Sequence, residues 1–78
     1  MPRFRFHLYN DTETIDREGR EFADFDAARL EAISNARELM AADIRADGII
    51  NLGHWIELEN DSGDVLVVPF GDAVTVKR

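Results

Sequence analysis

A long stretch without glycine or proline constrains the fold of this chain more than any other feature. Residues 27–46 read AARLEAISNARELMAADIRA and are rich in Ala, Leu, Glu and Arg, which are strong helix formers. Asp24 predicts the amino-terminal cap, because its carboxylate can accept the free amides of the first turn. Gly48 predicts the end of the helix in the left-handed conformation. About 22 residues at ~1.5 Å each correspond to a helix roughly 33 Å long.

One side of this helix is apolar and needs a surface to lie against. Its apolar residues recur at steps of three and four: they are Phe25, Ala28, Ala32, Ile33, Ala36, Leu39, Met40 and Ile44. A single sheet packed across this stripe is the economical arrangement. Because Asp43 interrupts the stripe near its end, we expect the last turn to extend beyond the sheet.

Strand patterns lie on both sides of the helix. Strands are predicted at residues 2–9, 12–16, 54–59 and 65–68, with a brief pairing at residues 20–22. Residues 73–76 fit either a short fifth strand or an extended tail. The order β-β-α-β-β predicts an α+β fold over residues 1–78, with one small antiparallel sheet and a single long helix packed on one face.

Composition narrows the classes of function. The chain has 78 residues and no cysteine, so disulfides and thiolate zinc sites are excluded and a reducing compartment fits best. Sixteen acidic and nine basic residues give a net charge of −7, which repels nucleic acids and anionic membranes. No apolar run approaches the ~20 residues of a membrane helix, and the amino terminus has no signal core. We expect a cytoplasmic protein, for which dimerisation is one way to bury more surface.

Motifs for catalysis, metal or cofactor binding do not emerge. His7 and His54 are the only histidines, and their strand parity places them on opposite faces. The acidic stretch at residues 57–64 lacks the glycine and glutamate spacing of a calcium loop. The serines are not in nucleophile elbows, and the glycines do not cluster into a phosphate loop. We expect no enzymatic activity, no cofactor and no metal.

The outward residues of the first strand form part of a candidate interaction face. Arg3, Arg5 and His7 share the parity that points away from the helix, opposite to Phe4 and Phe6. If residues 54–59 pair beside them, glutamates of that strand complement the arginines, and the row is a solvated charged surface. A ligand-binding or protein-binding face is the alternative.

Trp55 and the fourth predicted strand complete the candidate face. Trp55 points to the same side as the arginines, where it either anchors a protein contact or covers the sheet edge. Every residue of 65–68 is apolar, which indicates a strand covered on both faces. Either Leu66 and Val68 or Val65 and Val67 must point away from the helix, and we assign Leu66 and Val68 to this outer interaction face. A symmetric dimer or the folded-back carboxy-terminal segment would cover them.

Three stretches carry a resemblance to a known family. They are PRFRFHL at the start, the Asp-capped helix start at residues 24–29, and VPF with DAV at residues 68–74. Together they resemble a family of short bacterial proteins, common in alphaproteobacteria and classified as a domain of unknown function. The resemblance implies the domain boundaries and a cytoplasmic location, and it transfers no chemistry. A weaker likeness, in element order alone, is to HicB-type antitoxins.

Three classes of binding function follow from these features. The first is a non-enzymatic protein–protein interaction module, with a homodimer as one form. The alternatives are an antitoxin-like regulator that binds a basic protein partner, and a binder of a small ligand or nucleic acid through Arg3, Arg5 and Trp55. The acidic charge suits a basic partner and disfavours nucleic acid.

Overall fold

The predicted order of elements is confirmed by a computed structural model that describes residues 1–78. Five strands form one antiparallel sheet, and one long helix packs across it, so the chain has an α+β fold. The elements are β1 (Arg3–Tyr9), β2 (Glu13–Thr14), β3 (Arg20–Glu21), α1 (Phe25–Asp47), β4 (Trp55–Asn60) and β5 (Val65–Pro69), followed by a 3₁₀ turn (Phe70–Ala73). Neither helical segment combines the length and apolar character that a membrane span requires.

The sheet has the strand order β2-β1-β4-β5, with β3 pairing to another part of β1. One edge is therefore shared by two strands of two residues each, and the other edge is the five-residue β5. The register places three residues side by side in each row across the central strands. The rows are Tyr9, Trp55 and Pro69; His7, Glu57 and Val67; and Arg5, Glu59 and Val65.

Helix α1 begins and ends as the sequence predicts. The Asp24 carboxylate accepts the N–H of Ala27 at 2.9 Å, and Gly48 adopts a φ of 76° at the carboxyl end. The buried part of the stripe consists mainly of alanines, which let the helix approach the sheet closely: Ala28, Ala32, Ile33, Ala36 and Met40. Every residue of 41–50 is exposed, so the end of the helix extends beyond the sheet as expected.

The carboxy-terminal segment closes the core on the helix side. Phe70 and Ala73 of the 3₁₀ turn are buried in the core, and the Arg37 Nε–H donates to the Ala73 carbonyl at 2.7 Å. Residues 74–78 form no strand. Because Phe70 and Ala73 pack on the side of α1 and Val65 and Val67 stay half-exposed, the segment does not cover the opposite face of the sheet.

Leu66 and Val68 face the helix, so their assignment to the outer face is wrong. Val68 is 1% exposed in the core, and Leu66 packs against that core. The pairing of Leu66 with Leu58 gives both side chains the same orientation toward α1. Val65 and Val67 instead point outward, each 49% exposed, so the outer face of β5 is not covered by this chain.

Candidate interaction surface

On the side of the sheet away from α1, we define an aromatic–valine surface by four exposed or half-buried residues: Tyr9, Trp55, Val65 and Val67. The Tyr9 and Trp55 rings are direct cross-strand neighbours and stack with centroids 5.1 Å apart and planes 12° apart. Trp55 is nevertheless 38% exposed. The surface therefore offers a rigid aromatic pair and two β-branched side chains to another molecule.

Tyr9 keeps its proton in this setting. Desolvation raises the pKa of Tyr9 above its ordinary value, and the negative charges of Glu57 and Glu13 raise it further. Tyr9 therefore acts as a neutral, amphipathic ring that supports Trp55.

His7 lies on the outer face as predicted, but it is buried, with 6% exposure. The Asp16 N–H donates to His7 Nδ1 at 3.1 Å, and His7 Nε2 lies 3.0 Å from Glu59 Oε1. Because Nδ1 accepts, the ring proton is on Nε2 and is donated to the carboxylate. His7 is therefore not available as a contact residue, and its assignment to the interaction face is wrong.

Asp16 holds residues 15–19 over this part of the sheet. One carboxylate oxygen accepts the Phe6 N–H at 3.0 Å, and the other accepts the N–H groups of Glu18 and Gly19, both at 3.1 Å. Partial burial raises the pKa of Asp16, but the three N–H donors more than offset it and hold that pKa below its usual value. Asp16 thus replaces a strand partner for β1 in the gap between β2 and β3.

The arginines are paired within the chain, as the cross-strand interpretation predicts. Arg5 lies 3.6 Å from both Glu59 and Asp61, and Arg3 lies 3.8 Å from Glu21. The hydrogen bond from His7, together with the charge of Arg5, holds the pKa of Glu59 below its usual value. The charged part of the outer face is therefore complemented internally, whereas the aromatic–valine surface is not.

A groove of about 480 Å³ lies on the helix side, between α1 and β1. Its apolar part is formed by Phe6, Leu8, Leu39 and Ile56, and its polar part by Glu31, Ser34, Asn35 and Glu38. Arg20 already pairs with Glu31 at 2.9 Å. Glu38 makes no ion pair, so the groove combines apolar side chains with a free negative charge.

The two histidines are in separate environments. His54 is half-buried. Its ring makes an edge contact with Phe70, with centroids 5.6 Å apart, and its Nε2 lies 3.5 Å from an Asp11 oxygen. No group of three or more His, Cys, Asp or Glu side chains is arranged to hold a metal ion. His7 and His54 do not form a common site.

Comparison with family models identifies one that matches residues 3–71, described as a domain of unknown function, DUF6894. The chain belongs to the DUF6894 family. The predicted resemblance to a domain-of-unknown-function family is thereby confirmed, over a region that ends at Gly71. Neither the curated proteins nor the solved structures contain a match.

The DUF6894 chain thus leaves two apolar features open. The aromatic–valine surface lies on the outer face, and the groove beside β1 lies on the helix face. Of the residues predicted from sequence, Arg3, Arg5 and Trp55 are accessible on the outer face, His7 is buried there, and Leu66 and Val68 point toward α1. Val65 and Val67 were missed, because parity within an uninterrupted apolar strand carries no signal for which side is buried.

Proposed function

We propose that this DUF6894 chain is a non-enzymatic protein–protein interaction module that binds its partner through the aromatic–valine surface. The observation that carries the proposal is that Trp55, stacked on Tyr9, stays 38% exposed on the same face of the sheet as two half-exposed valines. Exposed aromatic anchors without charges of their own are typical of the centres of protein interfaces. The charged residues around them form the polar rim that such interfaces have.

A cytoplasmic location and self-association belong to the same proposal. A chain without cysteine suits a reducing compartment. A domain of 78 residues buries a smaller fraction of its unfolded surface than a larger domain does, so burying further apolar surface in a homodimer adds stability.

Two substitutions of matched exposure test the surface. Trp55 is 38% exposed on the outer face, and Leu39 is 36% exposed in the groove. Trp55→Ala is expected to lower the mass in light scattering or to remove partners captured from the host cell, while Leu39→Ala changes neither. Circular dichroism establishes that both variants fold. If Trp55→Ala retains the mass and the partners of the unaltered protein, the surface has no such role.

The groove favours a second candidate function, a regulator that holds a basic partner protein. Its apolar floor and the unpaired Glu38 fit an amphipathic segment flanked by Lys or Arg, and the net charge of −7 attracts such a segment. The same two variants separate the candidates. A partner lost on Leu39→Ala and kept on Trp55→Ala indicates the groove.

A further inference from the structure

The inference concerns β5, the strand at the open edge of the sheet, and it rests on the proposed function. We propose that a second copy of this chain extends the aromatic–valine surface by pairing antiparallel along β5, with the two-fold axis at Val67. Two sheets then become one continuous sheet, and the valines of the two copies lie next to each other across the axis.

Backbone groups on this edge are free in a defined pattern. The Asn60 N–H donates to the Asp64 carbonyl, and the Phe70 N–H donates to the His54 carbonyl, so even-numbered residues of β5 bond to β4. The odd-numbered residues therefore direct their backbone groups to the open edge. Val65 and Val67 each present an N–H and a C=O there, and Pro69 presents a C=O alone.

Pairing centred on Val67 uses every free donor of both edges. Val67 faces its own equivalent, and the two residues exchange two hydrogen bonds. Each Val65 N–H reaches the Pro69 carbonyl of the other copy. Each Val65 carbonyl lies opposite a Pro69 that has no N–H to donate. The unpaired group is therefore an acceptor, and no donor is left unpaired.

Neighbouring registers are less favourable for physical reasons. With the two-fold axis at Val68, Val67 of each copy pairs with Pro69 of the other. Only the Val67 N–H groups then donate within β5, because Pro69 has no N–H. Centring on Leu66 uses as many donors as Val67, but it brings the two acidic hairpin ends, with Asp61 and Asp64, about 7 Å closer along the strand. Repulsion between like charges disfavours that register.

Charge identifies the occupant as a second copy. β5 reads VLVVP and carries no charged residue, whereas β1, β2, β3 and β4 all carry charges. Two molecules of net charge −7 repel each other, so they are expected to meet at a neutral element. A basic partner would gain nothing from a strand without carboxylates.

The opposite edge of the sheet is protected against pairing with another strand. There β2 and β3 are two residues each, both contain charged side chains, and residues 15–19 fill the gap between them. Short strands, charges and covering loops are the usual devices against edge pairing. Of the usual kinds of protection, β5 has only a proline, Pro69, at its end, and the register centred on Val67 accommodates it.

The absence of cysteine permits a direct test of the register. Val65→Cys and Val67→Cys place single thiols on the same strand and face, at residues that are equally exposed, each 49%. In the proposed dimer two copies of residue 67 have Cα atoms ~5.5 Å apart, which a disulfide can span. Copies of residue 65 are four residues apart along the strands, about 13 Å, which a disulfide cannot span.

Under mild oxidation, non-reducing electrophoresis is expected to show the Val67→Cys dimer forming at least tenfold faster than the Val65→Cys dimer. The difference should disappear in denaturant, where both thiols meet by collision. Equal rates in native buffer, a faster Val65→Cys reaction, or no linkage above the denatured rate for either variant would each overturn the pairing at Val67.

A charged substitution separates failure of this inference from failure of the proposed function. Val67→Lys should give a monomer in sedimentation velocity if the unaltered protein is a dimer through β5. An unaltered protein that is already monomeric, yet loses a different partner on Trp55→Ala, refutes the second copy and retains the interaction surface. An unchanged result for both Trp55→Ala and the cysteine pair refutes both.

Discussion

Asp16 accepts three backbone N–H groups, and its own N–H donates to buried His7. Such bonds to a carboxylate are stronger than those between neutral groups. If Asp16 were replaced by alanine, the Phe6 N–H, which lies in the gap between β2 and β3, would lose its acceptor. Asp16→Ala is therefore expected to lower the free energy of unfolding by about 1–3 kcal/mol in urea titrations.

Asp61→Ala is the control for that loss. Asp61 has an exposed side chain and a single ion pair with Arg5 at 3.6 Å, so its removal should cost at most ~1 kcal/mol. Equal losses for the two variants would show that the hydrogen bonds of Asp16 contribute no more than a surface charge.

The same carboxylate predicts a dependence of stability on pH. The pKa of Asp16 is lower in the folded chain than its ordinary value, and so is that of Glu59. A lowered folded-state pKa stabilises the fold above the ordinary value of ~4 and ceases to do so as pH falls through the folded-state pKa. Asp16→Asn should therefore lose less stability than the unaltered protein between pH 5 and about 2, measured by urea unfolding at each pH. Parallel pH curves for the two proteins would contradict this.

At the scale of elements, Gly19 determines how closely residues 15–19 approach β1. Its φ is +72°, and a Cβ there would lie 2.8 Å from the Phe4 carbonyl oxygen. Gly63, in the hairpin between β4 and β5, has a similar φ of +84° but open space around it. Both alanine substitutions cost roughly 1–2 kcal/mol of backbone strain, and Gly19→Ala should cost a further ~1–3 kcal/mol from the close contact. Thermal unfolding of the two variants measures the difference, and equal melting temperatures would show that the strand shifts freely.

The elements differ in how far the sequence determines them. Helix α1 was predictable at both ends, because Asp24 and Gly48 act locally on the turns next to them. The orientation of β5 was not, because residues 65–68 are apolar throughout and only the register with β4 decides which side is buried. The burial of His7 depends on Asp16, nine residues away, in a loop whose path no periodic pattern describes. The one local signal for the path of this loop is that Asp16 lies three residues before Gly19, a spacing that suits an Asx-type turn.

The whole molecule is a slab of 39 × 25 × 16 Å, with α1 on one face of the sheet and no second layer on the other. A sheet normally has layers packed on both faces, or one packed face and one face solvated by polar side chains. Here the outer face is divided, since its charged part pairs internally and the aromatic–valine surface stays open. The arrangement predicts that association with a partner, rather than further folding of the chain, covers that surface.

Ionic strength distinguishes the two kinds of partner, because the net charge of −7 acts on them with opposite sign. Two identical acidic chains repel, and salt screens the repulsion, so the homodimer should become tighter between 50 and 500 mM salt. A basic partner in the groove is attracted by the same charge, so its binding should weaken over that range. Sedimentation velocity of the chain alone at both salt concentrations measures the first effect. Because the pairing along β5 is apolar and hydrogen-bonded, a dimer that dissociates as salt rises would place a charged contact at the interface and contradict the pairing at Val67.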